Sequence, residues 1–136
     1  TLFIEGWAFY CEELMEQLGY IATPIQKLGR LADQLWRAAR IILDVSLHCK
    51  GMTVEQAVDF LVSECHLEPA NALAEVRRYT ATPTQPQSYL MGKLEILKIV
   101  EEFRRQNPEA SLRELHDAIL GCGSLPPRLL RQQLLA

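Results

Sequence analysis

The sequence has no apolar run near the roughly 18 to 20 residues that a membrane-crossing helix needs, so a transmembrane helix is excluded. It has no basic surplus. Its 14 Lys and Arg stand against 17 Asp and Glu, for a net charge of −3 and a pI near 5.6. No basic patch is large enough to grip a phosphate backbone, and nucleic acid drops out as a partner. There is no alternating strand pattern, no internal repeat and no low-complexity linker. The four cysteines, Cys11, Cys49, Cys65 and Cys122, include no C-x-x-C pair, which removes zinc-knuckle and dithiol redox motifs. Each lies among apolar residues and reads as a free buried thiol, which favours a reducing, cytoplasmic setting. The three histidines stand at 48, 66 and 116, and none has a second histidine four residues on, so there is no HExxH. An initiator Met and a basic leader with a small-residue cleavage site are also lacking. The chain opens inside an apolar helical pattern, Leu2-Phe3-Ile4-Glu5-Gly6-Trp7, and is expected to be a fragment of a longer protein. Any targeting segment would then lie in the missing part, and an exported parent is compatible with this.

What is present points to helices. A length of 136 residues fits a single domain, and 49% hydrophobic with 23% charged residues is an ordinary globular balance. A helical pattern runs from Leu2 to about Leu18, with Gly19 as its stop. Thr23-Pro24 opens a second helix reaching about Lys50, with Gly51 beyond it. Gly29 inside this helix predicts close packing there. Thr53 with Gln56 forms a capping box for a third helix ending near His66. Pro69 opens a fourth, to about Tyr79. Two prolines, Pro83 and Pro86, then force a corner, because neither can sit in a helix interior. A fifth helix runs from about Gln87 to Arg105. Ser111 with Glu114 caps a sixth that ends at Gly121, and Pro126-Pro127 opens a short terminal helix. The prediction is an all-α bundle of six to seven helices with short connections.

Polar groups in apolar surroundings are the candidates for chemistry. The second helix has a broad apolar face, Ile25, Leu28, Leu31, Leu35, Ile42 and Leu43, and is apolar nearly all round from Ala38 to Leu47, which predicts burial on most sides. Arg37, Arg40, Asp44 and His48 recur there at spacings of three and four, which places them on one stripe. Asp44, one turn before His48, can accept from its imidazole and fix the tautomer. The group suits proton transfer, and it suits equally a buried structural network that balances its own charges. Glu5 is either an exposed helix-start acid or turned inward toward a cation. Glu12, Glu13 and Glu16 read as solvated helix charges. Tyr89 could donate to an oxyanion or be a core aromatic with a satisfied hydroxyl. His66 and His116, near helix ends, read as surface or supporting residues.

Four segments together resemble a known family. Glu5-Gly6-Trp7-Ala8-Phe9-Tyr10-Cys11-Glu12 is similar to an EGWALYxE motif, and Trp36 through His48 to WRAxRLVxDxxLH. Arg78-Tyr79 through Gly92 is similar to RYxxxPxQxxSYxxG, and His116 through Pro126 to FHDxxLxxGxLP. In this order they resemble the bacterial domain-of-unknown-function family numbered 885, whose members look like helical, gluzincin-type zinc metallopeptidases. The resemblance covers essentially the whole chain but only the C-terminal part of a family member.

The resemblance implies that a metal-binding HExxH helix lies upstream, in the missing N-terminal part, which becomes the first partner of this piece. It implies Glu5 as the third zinc ligand, His48 and Tyr89 as transition-state donors, and Asp44 as the residue that orients His48. Arg78 and Gln85 are implied as contacts to a peptide-like substrate. The fragment alone is then expected to be inactive on peptides and to self-associate through uncovered surface. The rival expectation is a non-catalytic helical module that binds a small ligand or a partner helix.

Overall fold

The computed structural model describes residues 1–135, which form seven helices and no strand. They are α1 (Leu2–Gln17), α2 (Pro24–Cys49), α3 (Val54–Cys65), α4 (Pro69–Ala81), α5 (Ser88–Gln106), α6 (Leu112–Gly121) and α7 (Pro127–Leu135). Local chemistry sets the boundaries. Reciprocal capping boxes at Thr23/Gln26, Thr53/Gln56 and Ser111/Glu114 satisfy the first free N–H groups of α2, α3 and α6. Pro24 and Pro69 occupy first-turn positions, where a missing N–H costs nothing. After α1 the chain reverses through Gly19 at φ +84°, a conformation that glycine adopts without Cβ strain.

Two apolar clusters hold the bundle. One joins α1, α5, α6 and α7 around Tyr10, Ile96, Ile99, Leu115, Ile119 and Leu130. The other joins α2, α3 and α4 around Leu43, Leu61, Val76 and Tyr79. The corner after α4 connects the two halves, anchored by the buried ring of Pro86. The close helix crossing is between α1 and α5. A Cβ on Gly6 would run into the backbone of Gly92, and one on Gly92 into the carbonyl oxygen of Leu2.

Two expectations need correction, and one holds over part of the chain only. Gly29 makes no close approach, because it lies on the exposed side of α2 with nothing within 4 Å of where a Cβ would stand. α2 is buried on most sides only from Ala38 to Leu47, where Ile42 and Val45 alone stay exposed. Leu43 packs inward, but Ile25, Leu28, Leu31, Leu35 and Ile42 face outward, because α2 is apolar on two sides and α3 and α4 cover only one. The cysteines are free, yet none is fully buried, and Cys49 is exposed near the end of α2.

Candidate functional site

The proline corner is fastened to α2 and α4 by a connected set of polar side chains. Arg40 on α2 is at its centre and is buried. Its guanidinium lies 4.5 Å from the Trp36 ring and 5.1 Å from the Tyr89 ring. Both rings present π faces that attract a cation. Arg40 Nε donates to the Tyr79 hydroxyl at 3.0 Å, and its terminal nitrogen reaches the Glu75 carboxylate at 3.3 Å. Trp36 Nε1 donates to the same Tyr79 hydroxyl at 3.0 Å. Burial pushes the Tyr79 phenol up, with Arg40 opposing. Burial also raises the Glu75 carboxyl, but hydrogen bonds from Arg78 and Tyr79 and the charges of Arg78 and Arg40 outweigh it and leave it lowered.

The outer edge of this set carries the predicted substrate residues. Arg78 donates to Glu75 at 2.8 Å and to Gln85 Oε1 at 3.0 Å. Gln85 Nε2 in turn donates to the Tyr89 hydroxyl at 3.3 Å. Arg78, Gln85 and Tyr89 thus form one chain of hydrogen bonds, with Tyr89 in the first turn of α5.

Asp44 and His48 work on the other side of Tyr79. His48 Nε2 donates to the Tyr79 carbonyl at 3.2 Å, and Asp44 Oδ1 stands farther off, at 3.5 Å. A carbonyl only accepts, so it sets the tautomer of a neutral His48 with the proton on Nε2 and leaves Nδ1 as an acceptor. The imidazole thereby gives a second donor to a carbonyl at the end of α4 that also accepts from the Thr82 N–H at 3.2 Å. The expectation that Asp44 fixes the tautomer gives way to this main-chain bond. Asp44 is buried, and Oδ1 accepts from the Thr84 N–H at 3.2 Å. Thr84 has φ +70°, costly for a non-glycine residue, and the Asp44 bond holds it there. Asp44 Oδ2 is enclosed without a donor among the described residues. Arg40 pairs with Glu75 rather than Asp44, so the stripe on α2 is not a self-neutralising Arg–Asp–His network.

On α1 the three glutamates read as solvated charges, Glu12, Glu13 and Glu16, are partly exposed and each also meets a cation. Glu16 pairs with Arg30 and Lys27, Glu12 with Arg37 at 3.7 Å, and Glu13 with Lys93 at 2.6 Å. Lys93 is itself buried, between Glu13, Gln34 and the Phe9 ring. Glu5 is the exception: it is half-buried, and its carboxylate has no hydrogen-bond or ion-pair partner among the described residues. No group of three His, Cys, Asp or Glu able to hold a metal occurs among them either. The residues described do not by themselves fit a zinc ion.

Of the two readings of His116, the structure favours the supporting one: the residue is half-buried. Its Nε2 lies 2.9 Å from the Tyr10 hydroxyl, and its ring meets Trp7 edge-on with centroids 5.4 Å apart. The first and last of the four motifs therefore pack on each other, and the second and third share the Arg40–Tyr79–Tyr89 cluster. Glu75, Trp36 and Tyr79 were not singled out in the sequence. Glu75 stands three residues before Arg78 and four before Tyr79, a spacing that puts all three on one helix face.

The profile of the family described as "Bacterial protein of unknown function (DUF885)" matches residues 1–134. Two solved structures are similar over nearly all of the chain. One is a "putative lipoprotein" from Colwellia psychrerythraea, 35% identical, with a TM-score of 0.93, covering 98% of this chain and 23% of that one. The other is "a putative lipoprotein of unknown function" from Shewanella oneidensis, 34% identical, with a TM-score of 0.92, covering 100% and 25%. The chain spans about a quarter of the length of these relatives. No curated protein matches it. The chain belongs to the DUF885 family of bacterial proteins.

Proposed function

We propose that the chain supplies one wall of the active site of a zinc-dependent, metallopeptidase-like hydrolase. Glu5 is its single metal ligand, and the remaining donors come from polypeptide outside these residues. The observation that carries the reading is the state of Glu5. The other three glutamates of α1 each meet a cation, and this one is half-buried and unpaired. Its oxygens are not closed off from solvent and no protein cation among the described residues occupies them, so they stay open to an incoming metal ion.

The other residues take roles that match their geometry. Tyr89, held by Gln85 and stacked on Arg40, keeps its own O–H free to donate to the oxyanion of a scissile carbonyl. His48 spends its N–H on the Tyr79 carbonyl, so the transition-state donor role implied for it passes to Tyr89. His48 is left as an acceptor at the site's edge, while Asp44 holds the corner and keeps His48 close. Arg78 and Gln85, with donors turned along the corner, contact a peptide-like substrate. The parent is an exported protein on this reading, supported by the description of both solved relatives as lipoproteins.

The test is Glu5→Gln in the full-length protein. Zinc content and turnover should fall together, and stoichiometric zinc with full turnover refutes the ligand assignment. Residues 1–136 alone should not cleave peptides.

A cavity of about 770 Å³ favours a second reading, a module that binds a small apolar ligand. It lies between the corner and the start of α7, with Leu2, Pro83, Met91 and Pro127 in its wall. Glu5, His48 and Tyr89 do not line it. A ligand there would stabilise a Glu5→Gln variant as well as it does the unmodified chain.

A further inference from the structure

The outward side of α2 has a regular pattern. Leu28, Leu31, Leu35, Ala38, Ile42 and Val45 follow alternating steps of three and four, so the stripe repeats every seven residues. Its large members keep 37–61% of their surface exposed, although the same helix buries Leu43 completely on its other side. A strict seven-residue repeat is the period at which one helix packs along another, knobs into holes. From Leu28 to Cys49 the seam is about 32 Å long at 1.5 Å per residue. That is more contiguous apolar surface than a monomer ordinarily leaves in water.

We propose that a helix of the same polypeptide, from outside residues 1–136, lies along this seam. One observation chooses that occupant over a second copy. The two solved relatives match the chain almost end to end, yet about three-quarters of each relative lies outside the match, so a covering segment within one chain is available. Val45 sits beside Asp44 and one turn before His48, so the covering helix runs along the edge of the candidate site. The inference concerns packing and stands whether or not Glu5 binds zinc.

Leu35→Cys and Ile42→Cys test it, each made in the isolated 136-residue chain and in the full-length polypeptide. Alkylation rates are read peptide by peptide, so the native thiols stay in place, and rates in denaturant set the maximum. Both sites should react fast in the isolated chain and at least about tenfold slower in the full-length protein, since labelling then needs local opening. Equal rates in the two proteins overturn the proposal. Protection that disappears on dilution of the full-length protein identifies a second copy as the occupant and overturns it too. Chelating zinc should leave the protection in place, which separates this test from that of Glu5.

Discussion

Gly6 on α1 and Gly92 on α5 meet backbone to backbone, with no room for a Cβ on either. Each belongs to a motif that also holds a candidate site residue, Glu5 beside Gly6 and Tyr89 three residues before Gly92. The crossing sets how far apart the carboxylate and the phenol stand. Gly92→Ala should therefore destabilise by about 3 kcal/mol or more, since the obstruction is main chain and cannot rotate aside. Gly29→Ala, at an exposed helix interior, should stabilise by up to about 1 kcal/mol. Thermal denaturation of the two variants checks both signs, and similar melting points would contradict the crossing.

The contrast between these glycines shows what was legible. Capping boxes, first-turn prolines and stop glycines act within four residues, so all seven helices could be placed from sequence. A glycine's reason for being in a helix depends on a partner 86 positions away, as for Gly6 and Gly92, and period alone does not show it. The same limit applies to Lys93, whose burial comes from Glu13 and Gln34 on two other helices. Asp44 and His48 could be paired from their spacing. That Tyr79 and Thr84 would be their nearer partners could not, because the corner's path depends on tertiary packing.

Lys93 makes the second case for measurement. Its ammonium is buried while Glu13 keeps 30% side-chain exposure, so water can still reach the acid once the cation is gone. Lys93→Met should cost about 2 kcal/mol, below the 3–5 kcal/mol of a fully enclosed pair. Adding Glu13→Gln to Lys93→Met should cost less than the sum of the single changes. A double-mutant cycle by urea denaturation measures the coupling, and strict additivity would mean the pair contributes nothing.

Acid should weaken the fold in two separate windows. Burial, then the charge of Arg104, pulls the His116 imidazole below its ordinary value of 6.5, with Asp117 opposing. The unfolded chain takes up this proton first, so stability is full above about pH 6.5 and declines as pH falls below it. The Glu75 carboxyl is lowered instead, so its contribution is present above the ordinary carboxylate range and fades only as pH falls through its folded value. His116→Phe should flatten the first decline and leave the second. Stability measured every half unit from pH 8 to 3 shows whether the slope near pH 6 disappears.

Tyr89 separates a catalytic role from a structural one. Its ring stacks on the buried Arg40 guanidinium, and its hydroxyl only accepts, from Gln85 at 3.3 Å. Phenylalanine keeps the ring and loses one long, partly exposed hydrogen bond. In the 136-residue chain Tyr89→Phe should therefore shift stability by no more than about 0.5 kcal/mol. Tyr89→Ala removes the face that Arg40 rests on and should cost about 2 kcal/mol or more. If the hydroxyl donates to an oxyanion in the full-length hydrolase, Tyr89→Phe lowers kcat by about 100-fold or more, with KM and melting temperature nearly unchanged. If the residue only supports the corner, the phenylalanine variant turns over normally and the alanine variant fails through instability. Kinetics and melting curves on the same two full-length proteins decide between these outcomes.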